Sequence, residues 1–442
     1  MTVSTTGSFI RLDEVTASCP LPAVHRVRRH GRQPQEPDVA GAVRRELARA
    51  GLSLAPGSRI AITVGSRGLH DLVELVRAAV EWLRVQGAEP FVVPAMGSHG
   101  HATAEGQQSL LVQLGVTEAS VGAPIRSGMA TVDLGGGPAG VPVHMDALAA
   151  EADGVLVVNR VKPHTDFHGP HESGLAKMAA IGLGNQAGAA TLHALGPARL
   201  SESIVAVARA VVARGKVIGG LGVVENGRGQ TAGVAWVPPQ GIGGAEEAAL
   251  LAEARRLLGT LPFDELDVLV VDSFGKNVSG SGMDTNVIGR RRIHGVEEPV
   301  EPRIANVVAL GLTPDSEGNG YGIGLADFTT REVAASLDLH AMYTNALTAG
   351  VVGTRRVALP MVLADPVSAV SAAVLTCGRA APADVRLVRM HDTLDVADLL
   401  VSPALLPQVQ QHSELELVGG PVPLVDGGGS ALAPWGDEAA DR

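Results

Sequence analysis

Histidines gather in one stretch of this 442-residue chain: seven of the fourteen fall between His99 and His193. The densest run, from Val161 to Lys177, reads Val-Lys-Pro-His-Thr-Asp-Phe-His-Gly-Pro-His-Glu-Ser-Gly-Leu-Ala-Lys and holds His164, His168 and His171. Imidazole titrates near neutral pH and is the commonest protein metal ligand. A run of this kind, set among glycines, therefore reads as a site for proton transfer or metal binding; idle solvated loop histidines are the competing reading. Arg67 in Gly-Ser-Arg-Gly and His99 in Gly-Ser-His-Gly come before it, and His193 in Thr-Leu-His lies sixteen residues after Lys177. Lys177 has small apolar neighbours on both sides, Gly174-Leu175-Ala176 and Met178-Ala179-Ala180-Ile181, which suits a fully solvated lysine poorly.

The elements that must carry these residues alternate. Residues 59–64 are a short β-branched apolar run and read as a buried strand; residues 65–68 are a loop; residues 71–86 have helical spacing and stop at Gly87. A second strand at 90–94 leads into the loop 95–101, and Thr103 has the chemistry of a helix N-cap. Residues 154–159 form another strand, with the histidine run just beyond it. Helices are expected near 43–50, 173–181, 200–214 and 245–258, and a strand at 217–225. This is the βαβ rhythm of a doubly wound sheet, in which ligands bind beyond the carboxyl ends of the strands. A second α/β unit is expected from the strand at 267–272, with strands at 303–311 and 385–389 and helices near 330–350 and 366–376. The fold class expected is thus α/β: one domain over 1–260 carrying the chemistry, one over 261–442 completing the substrate site, and the active site in the cleft between them. The first ~20 and last ~15 residues read as edge or poorly ordered segments.

Composition excludes several function classes. A net charge of -11 is the wrong sign for a nucleic-acid footprint. The one basic cluster, Arg290-Arg291-Arg292, reads as a solvated loop. Cys19 and Cys377 are too few for a disulfide framework or an iron–sulfur site, and read as reduced thiols of a cytoplasmic protein. No signal-like h-region and no long uncharged apolar span argue for secretion or membrane insertion. Aromatics are only 2% of the chain, so its cores must be built from Val, Leu, Ile and Ala.

The ordered set Arg67, His99, His164, Lys177 and His193, each in a loop context, resembles the nickel-pincer lactate racemase family over roughly residues 55–225. That resemblance implies that Lys177 bonds a nickel-pincer nucleotide, a nicotinic-acid-derived mononucleotide with two sulfur substituents, and that His193 binds the nickel. It implies His99 and His164 as the acid–base pair, Arg67 as the clamp on the substrate carboxylate, and Ser173 and Gly174 as donors to the cofactor phosphate. The reaction implied is racemisation or epimerisation of a small-molecule 2-hydroxy acid by hydride transfer. Cofactor-biosynthesis proteins are implied as partners, and a homo-oligomer stays open.

Two departures separate the chain from that pattern. The gap from His164 to Lys177 is thirteen residues, longer than in the family's racemases, which makes His168 a competitor for the role of His164. In the C-terminal half, Lys276 in a Ser/Asn/Gly-rich strand-end loop is the best candidate for the family's substrate-side lysine. Both departures suggest a substrate other than lactate. The alternatives are a mononuclear metal hydrolase built on the histidines, a pyridoxal enzyme built on Lys177, and a non-catalytic carrier of the pincer cofactor.

Overall fold

The computed structural model describes residues 16, 19–30, 33–137, 140–427, 429 and 431–435. Most of the two terminal segments expected to be poorly ordered thus lies outside the described residues. The chain divides into two compact units, residues 33–258 and residues 1–32 with 259–442. The first strand, β1 (Val24–Arg29), is the surprise: it pairs antiparallel with two strands from the far end of the chain. The expected domain over 1–260 therefore loses its first segment. Val24 and Val27 are fully buried, so a short apolar alternation in an arginine-rich strand is enough to seat it in the distant sheet.

The unit over 33–258 contains β2 (Arg59–Val64), β3 (Glu89–Pro94), β4 (Thr131–Gly136), β5 (Pro142–Asp146), β6 (Gly154–Arg160), β7 (Val217–Glu225) and β8 (Thr231–Val237). Five of them form one sheet in the order β3-β2-β6-β7-β8, parallel except for β8. Both faces are covered. Ala61, Phe91, Val93, Val155 and Val157 pack into one core. Ile60, Ile62, Val64, Val92, Leu156 and Val158 pack into another. Alternate residues of each strand thus face opposite cores, as a strand's two-residue period requires. The helix Leu72–Val85 closes the second core with Leu72, Leu75, Val76, Ala79, Val80 and Leu83. Thr103 caps the helix Ala104–Gln113, accepting from Gly106 N at 3.0 Å. The hairpin β4–β5 and the strand β8 carry no strong apolar alternation and were not expected.

The other unit continues with β9 (Glu265–Val271), β10 (Arg303–Ala309), β11 (Phe328–Thr330), β12 (Met361–Leu363), β13 (Leu387–Met390), β14 (Asp398–Val401) and β15 (Leu415–Val422). Its eight-stranded sheet runs β12-β11-β10-β9-β13-β14-β1-β15; β9 to β13 pair in parallel, and β14, β1 and β15 are antiparallel. The helix expected near 330–350 is broken into Arg331–Ser336 and Leu339–Ala349, because Asp338 caps the second piece through Ala341 N at 3.1 Å. The Arg290–Arg292 cluster is a correction to the solvated-loop reading. Arg290 and Arg291 are buried, and Arg290 donates to the Asp327 carboxylate at 2.6 Å and to the Ile304 carbonyl at 2.6 Å. These guanidinium groups tie together backbone carbonyls of separate segments, Leu325, Ile304 and Glu297 among them.

Candidate active site

The strand order places β3, β2 and β6 side by side, all parallel. Their carboxyl ends deliver three loops to one edge of the sheet: Arg67 after β2, His99 after β3, and His164 after β6. The segment that follows β6 then returns across these loops. Gly97 N donates to Gly182 O at 3.2 Å, and a Cβ on Gly65 would stand 3.1 Å from the Met178 side chain. Sequence reasoning expected one helix over 173–181. The chain instead makes a single α turn, Leu175–Lys177, that runs into a π turn, Met178–Gly182. Such turns recur at functional sites because they re-aim a side chain without ending the helix. Leu175, Ala176 and residues 178–181 are buried in the first core, which leaves Lys177 as the polar residue of the turn.

Two residues that the sequence did not flag hold this turn in place. Asn159 Nδ2 donates to Gly174 O at 2.8 Å. The buried Glu247 carboxylate accepts from Ala176 N at 3.0 Å and from Gly243 N at 2.7 Å. A Cβ at Gly174 would sit 2.2 Å from Glu247 Oε1, so this glycine is required by close approach to the carboxylate. The surroundings of Ser173 and Gly174 bear on their expected role as phosphate donors. Ser173 N donates to Lys162 O at 3.2 Å, and Ala176 N, in the first turn after Gly174, belongs to Glu247. Of the two residues assigned to a phosphate, Ser173 thus has its backbone donor engaged by the protein, and the Glu247 carboxylate stands against Gly174. The glycines of 182–185 are likewise packing positions: a Cβ on Gly182 would meet Ala95 O at 2.6 Å, and Asn185 is buried with its amide on Asp146 at 2.8 Å.

The electrostatics join four of the predicted residues. Surrounding protein draws the Lys177 ammonium down to about 8, chiefly by desolvation, with Arg67 and Lys162 adding repulsion and Asp166 and Glu172 opposing it. His164 is pushed well below the ordinary histidine value by desolvation, then by Lys177, Arg67, Lys162 and His193. His193, at the end of the helix Asn185–His193, is lowered by desolvation and by Lys177, while Asp166 opposes. Arg67 is lowered by desolvation and by Arg160, again against Asp166. Arg67 and His193 keep much of their surface open to solvent. Protein packed beside them desolvates both groups all the same. Asp166 is thus the acidic counterweight of a cationic cluster, and neither it nor Lys162 was singled out from sequence. Their signal was available: both lie inside the histidine run.

The other candidates fall in different places. His99 is exposed, in a loop fastened by the buried Gln107, whose Nε2 donates to Gly97 O at 3.0 Å. Just after it, His101 and Ala102 hold left-handed backbone at φ 55 and φ 54, a strained arrangement for side chains with a Cβ. His168 pairs with the buried Glu172 at 3.0 Å, and His171 bonds the Gly244 carbonyl at 2.8 Å. Both inserted histidines therefore brace the loop, and neither figures among the charges acting on Lys177. Lys276 belongs to the other unit, where its ammonium donates to Gly280 O at 3.1 Å and lies 4.1 Å over the Tyr321 ring. A hollow of about 360 Å³ in that unit lies at the amino ends of β9 and β10. Its charges pair with one another, Arg386 with Asp267 at 2.9 Å and with Glu265 at 2.8 Å, so it offers no chemistry to match the cluster around Lys177.

Among the described residues no three His, Cys, Asp or Glu side chains gather to hold a metal, and no helix is long and apolar enough to cross a membrane. No protein-family model matches the chain, and no curated protein matches it. Among solved structures the chain is similar to a Thermotoga maritima protein from a structural-genomics consortium, at 13% identity and a TM-score of 0.46, covering 61% of this chain and 70% of that one. It is also similar to the lactate racemase apoprotein of Thermoanaerobacterium thermosaccharolyticum, at 12% identity and a TM-score of 0.44, covering 83% of this chain and 84% of that one. At these identities the similarity is one of fold.

Proposed function

We propose that the protein is a racemase or epimerase of a 2-hydroxy acid that works with a nickel-pincer nucleotide bound covalently to Lys177. The observation that carries this reading is the Lys177 amine itself, drawn down to about 8 inside a cluster of Arg67, His164 and His193. An amine with that value is neutral in roughly one molecule in ten at pH 7, which makes it a usable nucleophile for a covalent bond.

The residues present fit the group on two counts. Arg67, Lys162 and Lys177 give the cluster a cationic character suited to an anionic nucleotide or acid. His193, neutral at pH 7 by its lowered pKa, is one imidazole donor; a pincer group brings its own sulfur and carbon donors, so one protein ligand suffices. A bare zinc hydrolase would need three protein ligands together, which the described residues do not assemble. When bound, the pincer nucleotide would supply the acceptor for the carbon-bound hydrogen of the substrate. The chain's own work is to bind and move protons. Arg67 is suited to grip the substrate carboxylate with a two-pronged hydrogen bond. His99 and His164, on strand-end loops either side of the one that carries Arg67, are suited to exchange the hydroxyl proton on opposite faces of the substrate carbon, leaving a planar 2-oxo acid between the two transfers.

Intact mass spectrometry of protein produced with and without the cofactor-building enzymes tests this. The adduct mass should appear on wild type, vanish in Lys177→Ala, and survive in His193→Ala with nickel retention reduced. Nickel-loaded, fully active Lys177→Ala protein would refute the assignment.

A further inference from the structure

The loop after β6 fixes more than the position of His164. Asp166 N donates to His164 Nδ1 at 3.0 Å. An N–H cannot donate to a nitrogen that already carries a proton, so the ring proton of the neutral imidazole belongs on Nε2. Turning the ring over would replace Nδ1 with a carbon and forfeit that bond. The ring is also held in plane: it stacks on Phe167 with centroids 4.2 Å apart and planes 24° from parallel, and Phe167 is itself buried.

The backbone beneath is clamped. The Glu172 side chain is fully buried and accepts from His164 N at 2.5 Å, from Gly169 N at 3.1 Å and from Arg255 at 2.6 Å, and it pairs with His168 at 3.0 Å. One carboxylate thus fixes both the start and the middle of the loop. Burial comes first in keeping a second proton off the ring, followed by Lys177, Arg67, Lys162 and His193, against the Asp166 and Glu172 carboxylates of the same loop. Burial and the cationic neighbours prevail, so the ring rests neutral.

We infer that His164 is preset in the resting protein as the neutral Nε2–H tautomer and serves as a hydrogen-bond donor to an oxygen of the bound acid, with Glu172 as its positioning residue. This rests on the reading of the site as one for a 2-hydroxy acid, and it divides the labour of the pair. A neutral Nε2–H imidazole polarises an oxygen but has no lone pair on that nitrogen with which to take a proton. The first proton removal then falls to His99. For His164 to act as base, its proton must move to Nδ1 and the Asp166 bond must break.

The test is nitrogen NMR on protein labelled at histidine nitrogen, without substrate or cofactor, with the His164 signals assigned by their loss in His164→Gln and, should that variant fold poorly, in His164→Asn. The Nε2–H form should exceed the other tautomer by at least about ten to one, the ratio that one hydrogen bond can enforce. It should persist as the pH falls through about 6.5, where ordinary histidines gain a proton. In Glu172→Gln, where a neutral amide replaces the clamp, the preference should fall severalfold. An Nδ1–H ring, a near-equal mixture, or an imidazolium at pH 7 would each overturn the inference. None of these outcomes bears on the Lys177 adduct, so the cofactor reading would stand or fall separately.

Discussion

If Lys177 is held at about 8 by its surroundings, the fold pays for that lysine at neutral pH, and replacing it with an apolar side chain should make the protein more stable. Lys177→Met keeps an unbranched side chain and removes the charge. The displacement from 10.5 to about 8 is 2.5 units. At about 1.4 kcal/mol per unit that is on the order of 3 kcal/mol. Lys177 is only half-buried, so solvent screening trims the figure to about 1–3 kcal/mol. Because folding lowers this pKa, the unfolded chain holds the proton more firmly between about pH 8 and 10.5, and wild-type stability rises with pH across that window. The advantage of Lys177→Met is therefore full below about pH 8 and should shrink to roughly a quarter by pH 10.

Urea unfolding at pH 7 and pH 10 reads both quantities. Trp82 and Trp236, two of the chain's three tryptophans, lie in the unit that carries Lys177 and report on its unfolding. A variant less stable than wild type at pH 7 would refute the reasoning. An advantage of the same size at both pH values would refute it as well, because it would then come from packing and not from a displaced proton.

Two further predictions follow from the same cluster. Arg67 and Asp166 push Lys177 in opposite directions, so Arg67→Ala should raise the midpoint of its pH-dependent acylation and Asp166→Asn should lower it, each by up to about one unit. Peptide mass mapping can follow this cleanly, since the chain has only four lysines, Lys162, Lys177, Lys216 and Lys276; shifts of the same sign in both variants would contradict the assignment. Glu247→Ala strips the acceptor from two buried backbone N–H groups, Ala176 and Gly243, and should destabilise this unit by on the order of 2–4 kcal/mol in urea unfolding, whereas Glu253→Ala, on the exposed face of the same helix, should change it little.

What could be read from the sequence and what could not divide along physical lines. The strands β2, β3, β6 and β9 were legible because they are buried on both faces, and burial writes itself as uninterrupted Val, Ile and Leu. Thr103 was legible because an N-cap is a local event between a side chain and the backbone three residues on. The loop-end positions of Arg67, His99 and His164 followed from those strands alone. β1 was not legible as part of the distant sheet, since its partners Val401 and Leu417 lie far away in the chain and nothing within Val24–Arg29 names them. The turn at Lys177 shows the same limit at the site. Ser173-Gly174 before a helix looks like an anion cradle, and local chemistry permits that reading. What decides is Glu247, more than seventy residues later, whose carboxylate occupies the place an anion would take. An internal carboxylate there does for the backbone what a phosphate would have done, and it does so permanently. The exposed Arg67 and the half-buried Lys162 then add cationic side chains to meet the charge of a ligand. A glycine before a helix marks a close approach; whether the visitor is a ligand or the protein's own side chain is a tertiary fact.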